Sequence, residues 1–147
     1  MSDIETFSKY LSEETGLATV STTQADGRVL SSVVNCGVIE HPITGATCVA
    51  FVSGSKAARL KHIDRGSQVT ISVRRGWAWS SVTGPADLIR PENPPEDIDH
   101  EKMRLLLREV FHAAGGLHDD LDEYDRAMAQ EKRVVICVNP ERILGNS

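Results

Sequence analysis

The sequence predicts an α+β fold in which six mainly antiparallel strands form a barrel with helices inserted between them. Strand-like segments, rich in β-branched residues and bounded by turn residues, recur between positions 17 and 138. Amphipathic helical patterns separate groups of strands instead of following every strand, which disfavours a doubly wound sheet. With 147 residues, of which 40% are hydrophobic, the chain is expected to form one domain, residues 1–147, with a sizeable core.

The chain opens with a predicted amphipathic helix within residues 1–16. Ile4, Phe7 and Leu11 recur at helical spacing. The pair Ser2-Asp3 is suited to cap the N-terminus of this helix, and Gly16 stands where a C-cap would end it.

Three strands are predicted to follow as a meander. Leu17–Thr23 alternates and is rich in β-branched residues, and Asp26-Gly27 supplies the chemistry of a hairpin turn before a second strand, Val29–Val38. The turn residues of His41–Gly45 then lead into an apolar third strand, Cys48–Val52.

The third strand runs into the most informative stretch of the chain, a Ser/Gly turn followed by a basic helix and another strand. The turn is Ser53-Gly54-Ser55, Leu60 and Ile63 give the helix one inward-facing stripe, and Gln68–Val73 has strand character. Such a turn favours an anion at the helix N-terminus, where Lys56 and Arg59 lie three residues apart and can flank one phosphate. Plain helix capping and solvated basic side chains explain the same residues.

The second half contains one long strand, a helical insertion over residues 98–130 and a last strand. Gly84-Pro85 predicts a bulge or bend within the long strand, and a proline-rich loop ends it. The predicted elements are the strand Trp77–Ile89, the helices Ile98–Ala114 and Leu121–Gln130, the strand Arg133–Val138 and a short tail, Glu141–Gly145.

Both tryptophans lie at the start of the long strand. Trp77 and Trp79 are two residues apart, so on a strand they face the same side, next to the basic pair Arg74-Arg75. Large aromatic side chains occur both in cores or subunit interfaces and against flat aromatic ligands. The sequence leaves both readings open.

Composition and charge exclude several functional classes. A net charge of -5 and a pI near 5.5 argue against a nucleic-acid partner, which needs a basic surface. No signal-like start and no apolar run of membrane-spanning length are present, so we expect a cytoplasmic protein without a membrane partner. Cys36, Cys48 and Cys137 are widely spaced in apolar segments and are expected to be buried free thiols.

The chain shows no catalytic constellation of its own. His112, His118 and Asp119-Asp120 fit no standard metal spacing and are expected to form a solvated loop. Neither Ser31 nor Ser32 has an obvious His partner, and His62 lacks a visible carboxylate partner. What remains is an anion site, a basic pair and a flat aromatic strip, which is typical of a protein whose phosphorylated cofactor carries the chemistry.

A series of short motifs, in this order, resembles the pyridoxamine 5'-phosphate oxidase-like split β-barrel proteins. Within these the chain looks most like the actinobacterial flavin/deazaflavin oxidoreductases of the B group, which use the deazaflavin coenzyme F420. The resemblance covers about Leu17 to Gly145. The motifs are DGR (26–28), an S-x-x-K/R helix, GWAW (76–79), V-x-G-x-A-x-L (82–88), D-x-Y-x-x-A-M (122–128), KRVVICV (132–138) and ERILG (141–145).

The resemblance implies a six-stranded antiparallel FMN-binding split β-barrel with flanking helices, forming a homodimer with a cofactor site at each subunit interface. Arg74 and Arg75 would meet the acidic oligoglutamate tail of F420. Lys61 is a further implied cofactor contact, although it lies on another side of the helix from Lys56 and Arg59 and forms a separate i, i+4 basic pair with Arg65. The implied cofactor-binding residues are Ser31, Ser32 and Asn35 against the ring, Ser53, Ser55, Lys56 and Arg59 at the phosphate, and Trp77, Ala78, Trp79 and Ser80 from the partner subunit.

The implied reaction is hydride transfer from reduced F420 to an electron-poor conjugated small molecule, such as an enone, quinone, nitro compound or tetrapyrrole-like ring, with no obligate catalytic side chain. Relatives carry Lys where Arg59 stands and Asp-Pro at Gly66-Ser67, although arginine also binds phosphate. The alternatives are an FMN-dependent oxidase or reductase of the same fold, or a non-catalytic protein that binds the cofactor or haem.

Overall fold

The computed structural model describes residues 3–146, which contain nine strands and four helices in an α+β arrangement. In chain order these are α1 (Ile4–Glu13), β1 (Leu17–Thr23), β2 (Val29–Asn35), β3 (Gly37–Glu40), β4 (Thr47–Ser53), α2 (Ala58–Asp64), β5 (Val69–Arg75), β6 (Ala78–Gly84), β7 (Ala86–Ile89), α3 (His100–Ala113), α4 (Leu121–Gln130), β8 (Val134–Val138) and β9 (Arg142–Gly145).

The strands form two antiparallel sheets, with orders β2-β1-β5-β6-β9 and β3-β4-β8-β7. The predicted count of six strands is wrong, because two long strands cross from one sheet to the other and break as they do so. The break lies at Cys36 between β2 and β3, and at Pro85, which has no N–H to donate, between β6 and β7. The tail adds β9, which pairs with β6 and covers an edge that would otherwise be open.

Helix α1 is present where the sequence predicts it. The Asp3 carboxylate accepts a hydrogen bond from the Thr6 N–H at 2.8 Å, while Ser2 lies outside the described residues. Phe7 and Leu11 are buried against the space between the sheets. Gly16 ends this segment with a φ of 78°, a conformation that favours glycine.

The protein has two apolar cores, and because of them the two sheets are covered to different extents. The first core lies between the sheets and includes Val20, Phe51, Ile71 and Ile136. The second lies between the four-stranded sheet and helices α3 and α4, so that sheet is buried on both faces and every residue of β8 is buried. The outer face of the five-stranded sheet has no such cover.

That outer face exposes apolar side chains in an otherwise hydroxyl-rich surface. Val29 and Val33 on the edge strand β2 are each 64% exposed, and Leu17, Trp79 and Leu144 are also exposed. Exposed apolar area on a flat sheet commonly marks a protein interface.

The three cysteines are buried free thiols, as predicted. None of the helices within residues 3–146 has the length and apolar character needed to cross a membrane.

Helices α3 and α4 are joined by a buried hydrogen bond and a cluster of charges. The Tyr124 hydroxyl donates to the carbonyl of Leu107 at 3.0 Å. The Asp125 carboxylate accepts hydrogen bonds from Arg108 at 2.9 Å and from Arg104 at 3.0 Å. These bonds, those from Arg108 above all, hold the pKa of Asp125 below its usual value.

We predict that Gly84→Ala destabilises the fold by about 1–3 kcal/mol, because a Cβ at this position would lie 1.7 Å from the carbonyl oxygen of Asn139. Chemical denaturation measures the change. Gly54→Ala is the matched control, because its Cβ would have no neighbour closer than 4.0 Å. Equal stability of Gly84→Ala and the wild type would contradict this packing.

We also predict that Asp125→Asn lowers the thermal midpoint near neutral pH but not in strong acid. The folded pKa of Asp125 lies below the unperturbed 3.8, so its stabilising effect is present above that value and is lost as the pH falls through the folded pKa. Thermal unfolding of both proteins across this range should therefore converge at low pH. The exposed neighbour Asp122→Asn should have little effect, since surface ion pairs contribute little.

Candidate functional site

Arg59 links the two sheets at the end of β4. This side chain of α2 donates one hydrogen bond to the Ser53 hydroxyl at 3.0 Å and another to the Ser32 hydroxyl at 2.8 Å. Ser32 lies on β2 and Ser53 on β4, in different sheets. The guanidinium carbon lies 5.7 Å from the centre of the Phe51 ring, a favourable cation–π position. We name Ser32, Ser53 and Arg59 the arginine cluster.

The arginine cluster carries a positive charge without a counter-ion. Within residues 3–146 no carboxylate lies within ion-pair distance of Arg59, and its two hydrogen bonds go to neutral hydroxyls. Burial lowers the pKa of Arg59, which stays protonated as arginine does in proteins. Burial raises the pKa of the nearby Cys36 thiol to about 12, so this thiol supplies no negative charge. The cluster is therefore suited to an anion.

The turn before α2 differs from the sequence expectation. Helix α2 starts at Ala58 and has seven residues, and its N-cap residue Ala57 makes no side-chain capping bond because alanine has no oxygen to offer. Lys56 is exposed in the turn before the helix, and the Ser55 hydroxyl donates to the carbonyl of Glu131 at 3.2 Å. The Arg59 side chain, more than the terminus of this short helix, is therefore the feature of the turn that suits an anion.

The predicted ring-facing residues of β2 lie on two faces. Side chains alternate along a strand, so Ser32 points towards Arg59 while Ser31 points to the outer face, where its hydroxyl lies 2.8 Å from that of Ser21. Asn35 shares the parity of Ser31, and its side-chain NH₂ donates to the carbonyl of Thr15 at 2.9 Å. The structure brings Ser32 alone of these three to Arg59.

The tryptophans lie at the tip of the β5–β6 hairpin. Gly76, with a φ of 63°, and Trp77 form its two-residue loop, in which Trp77 is 95% exposed. Asn146 fixes this tip, since its side chain donates to the Trp77 carbonyl at 2.6 Å and accepts from the Trp79 N–H at 3.0 Å. Trp79 is 38% exposed.

An open cleft of about 750 Å³ lies beside the two indoles, with Arg74 on its wall. Ala78 is half-buried at the start of β6, and Ser80 is buried, its hydroxyl donating to the Leu144 carbonyl at 3.2 Å. Arg75 forms an ion pair with Glu13 of α1.

The tryptophan tip and the arginine cluster are not brought together within one chain. Strands β1 and β5 separate β2 from β6, and the register sets Ser32 level with Val82, three residues from Trp79, so Ser32 and Trp79 lie about 17 Å apart at the usual strand dimensions. Within one chain the Ser32 side chain points to the inner face of the five-stranded sheet, whereas Trp79 lies on its exposed outer face.

The remaining candidates lie elsewhere. Lys61 is exposed on α2. His62 is buried, and its Nδ1 lies 2.8 Å from the Thr22 hydroxyl, which is a structural arrangement. Residues 3–146 bring together no group of three or more His, Cys, Asp or Glu side chains that could hold a metal ion.

Solved structures with this fold cover nearly the whole chain. The conserved hypothetical protein Rv2991 of Mycobacterium tuberculosis is 17% identical, with a TM-score of 0.69 over 99% of this chain and 84% of that protein. An F420 reductase is 14% identical, with a TM-score of 0.60 over 88% and 90% of the two chains.

A pyridoxamine 5'-phosphate oxidase-related, FMN-binding protein of Nostoc punctiforme is 12% identical, with a TM-score of 0.61 over 93% of this chain and 80% of that protein. The chain has the pyridoxamine 5'-phosphate oxidase-like split-barrel fold. No protein-family model matches its sequence.

This split barrel also contains a pocket that the sequence analysis missed. About 350 Å³ in volume, it lies where β2 and β4 meet the C-terminal part of α3 and the last turns of α4. We call it the helix pocket; its lining includes Val34, Val52, Val110, Phe111, Met128 and Arg133. Phe111 lies on α3 and lines this pocket, which forms only where α4 packs beside α3, so no local sequence pattern indicates it.

Proposed function

We propose that the protein is an oxidoreductase that binds coenzyme F420 and transfers a hydride from the reduced cofactor to an electron-poor conjugated small molecule, such as an enone, quinone, nitro compound or tetrapyrrole-like ring. The observation that carries this proposal is the uncompensated charge of Arg59, held by two hydroxyls at the end of β4. The likeness in fold to an F420 reductase supports the choice of cofactor.

The residues of the arginine cluster fit a phosphate group. A half-buried guanidinium gives stronger charge-assisted hydrogen bonds than an exposed one, and its planar donors match phosphate oxygens. Arg59, Ser53 and Lys56 would hold the phosphate, with Ser55 beside them. Because Phe51 and two serines already fix the guanidinium, little side-chain entropy is lost on binding.

When bound, F420 would supply the hydride. The contribution of the chain is orientation, since holding two reactants in the correct geometry accounts for much of the barrier reduction in such reactions. Ser32 would lie at the ring edge, whereas Ser31 and Asn35 point to the other face of the sheet. A β2 serine or a water would return the proton to the product, and no obligate catalytic side chain is assigned.

The proposal includes a homodimer. The uncovered face of the five-stranded sheet, with exposed Val29, Val33 and Leu17, offers a surface for a second copy. Trp77, Ala78, Trp79 and Ser80 of that copy would then complete the site against the ring and tail, Ser80 through its backbone because its side chain is buried. Arg74 would lie near the acidic tail.

FMN is the second candidate cofactor, because a protein of the same fold binds FMN and the arginine cluster accepts the phosphate of either molecule. Absorbance after purification separates the two, since the flavin of FMN and the deazaflavin of F420 absorb at different visible wavelengths. The test of the function is titration with both cofactors, followed by oxidation of reduced F420 in the presence of a panel of enones, quinones and nitro compounds. Binding without turnover on any acceptor would contradict the reductase.

We predict that Arg59→Ala weakens F420 binding by about 10- to 100-fold, because it removes charge-assisted hydrogen bonds to the phosphate. Quenching of tryptophan fluorescence during titration measures the affinity. Lys61→Ala is the matched control on the same helix, and its exposed position predicts a change of less than about threefold. Equal losses in the two variants would contradict the placement of the phosphate.

We further predict that mixing Arg59→Ala and Trp79→Ala subunits restores F420 binding that each variant alone has lost. If the site combines Arg59 of one copy with Trp79 of the other, half of the mixed dimers are heterodimers and about a quarter of all sites are intact. Denaturing and refolding the two variants together, followed by titration, counts those sites. No recovery above the separate variants would show that both residues act within one chain.

A further inference from the structure

The helix pocket begins where the arginine cluster ends. Val34 follows Ser32 by two residues on the same face of β2, whereas Val52 precedes Ser53 on β4 and points to the opposite face of that strand. The Arg133 guanidinium lies beside the same turn, because a Cβ built on Gly54 would be 4.0 Å from its Nη1. A molecule in the helix pocket would therefore be a neighbour of any ligand held by Arg59.

Apart from Asn35 and Arg133, the residues that line the helix pocket are apolar or aromatic. Val110 and Phe111 come from α3 and Met128 from α4. The ring of Phe111 packs against that of Tyr124 with centroids 4.6 Å apart. The Tyr124 hydroxyl is engaged with the Leu107 carbonyl, and burial raises its pKa to about 12, so it stays neutral. Such walls favour a flat apolar ligand.

Arg133 is the single charged residue among those that line the pocket. Its side chain is 34% exposed, and its ion-pair partner within residues 3–146 is Glu131, at 3.4 Å and itself 49% exposed. A pair this long and solvated holds the guanidinium weakly. The pocket thus combines apolar walls with one available cation and no lining carboxylate.

We propose that the helix pocket binds a planar apolar carboxylate, with its carboxylate on Arg133 and its ring between Phe111 and Met128, and that this molecule is the hydride acceptor. That the bound molecule is the hydride acceptor rests on the proposed function, whereas the binding of a carboxylate in this pocket does not. A singly charged group suits this position because one guanidinium matches one carboxylate in a bidentate pair. The hydroxyl-rich arginine cluster suits the phosphate, because its serine hydroxyls and guanidinium offer several donors to phosphate oxygens.

Calorimetric titration of the cofactor-free protein with 2-naphthoate tests the proposal. The neutral analogue 2-naphthamide should bind at least about tenfold more weakly, because it cannot pair with the guanidinium. Arg133→Gln should reduce 2-naphthoate binding by a similar factor and leave 2-naphthamide unchanged. Arg126→Gln, at an exposed position on α4, is the matched control and should not change either affinity.

Methyl NMR of the wild-type protein locates the probe without any substitution. Ring-current shifts during titration are expected at the methyl groups of Met128, Val110 and Val52, and not at Val29 on the exposed sheet face. Shifts confined to Val29 or Leu144, equal affinity for the acid and the amide, or no binding of 2-naphthoate up to about 1 mM would each overturn the proposal. If Arg133→Gln fails to fold, the acid–amide comparison and the methyl shifts still decide it.

The two proposals fail separately. Binding of 2-naphthoate in the helix pocket by a protein with no affinity for F420 or FMN would support the pocket and contradict the oxidoreductase. Binding of F420 by a protein that ignores 2-naphthoate would support the cofactor site and overturn the carboxylate pocket. Neither titration requires an active enzyme.

Discussion

The bridge that Arg59 makes between Ser32 and Ser53 connects the two sheets at the point where a ligand would enter. A buried or half-buried cation is costly unless its donors are satisfied, and here neutral hydroxyls satisfy them without cancelling the charge. The geometry of this corner of the barrel is therefore fixed while its positive potential is retained. An anion can replace or extend these hydrogen bonds without moving the backbone.

The unequal covering of the sheets follows from where the helices attach. The insertion between β7 and β8 folds over the four-stranded sheet, where Met103, Leu106 and Val110 are buried against it. Within residues 3–146 no such segment covers the outer face of the five-stranded sheet, which keeps Val29 and Val33 exposed. The same asymmetry places the helix pocket beside the four-stranded sheet and the candidate dimer surface on the five-stranded sheet. The proposed cofactor and acceptor sites would therefore use different layers of the fold.

Much of the fold could be predicted from local sequence signals. The Asp26-Gly27 hairpin, the bend at Gly84-Pro85 and helix α4 depend on residues within a few positions of each other, and all three are present. Strand β9 was taken as a tail because its four residues become a strand only through pairing with β6, a contact between segments about 60 residues apart along the chain.

The candidate site was harder to predict from the sequence, because it also depends on contacts between segments that are distant along the chain. Arg59 stood out because it follows a Ser/Gly turn, but its partner Ser32 could be told from Ser31 only once the register of β2 was known. Arg133 gave no signal, because a basic residue at the start of a strand is usually solvated. Its significance comes from the packing of α3 and α4, which no local pattern encodes.

Under the two proposals, Arg59 and Arg133 would let the chain select two ligands, although residues 3–146 bring together no metal-binding group of side chains. Arg59 is surrounded by hydroxyls and the ring of Phe51, so it favours a group with several oxygens. Arg133 faces apolar walls, where a second strongly charged group would be poorly solvated. The surroundings of each arginine, more than its charge, would therefore select the ligand. The phosphorylated molecule would bind at Arg59 and the apolar molecule at Arg133. Because the two positions adjoin at Gly54, this division would also set the relative placement of donor and acceptor on which hydride transfer depends.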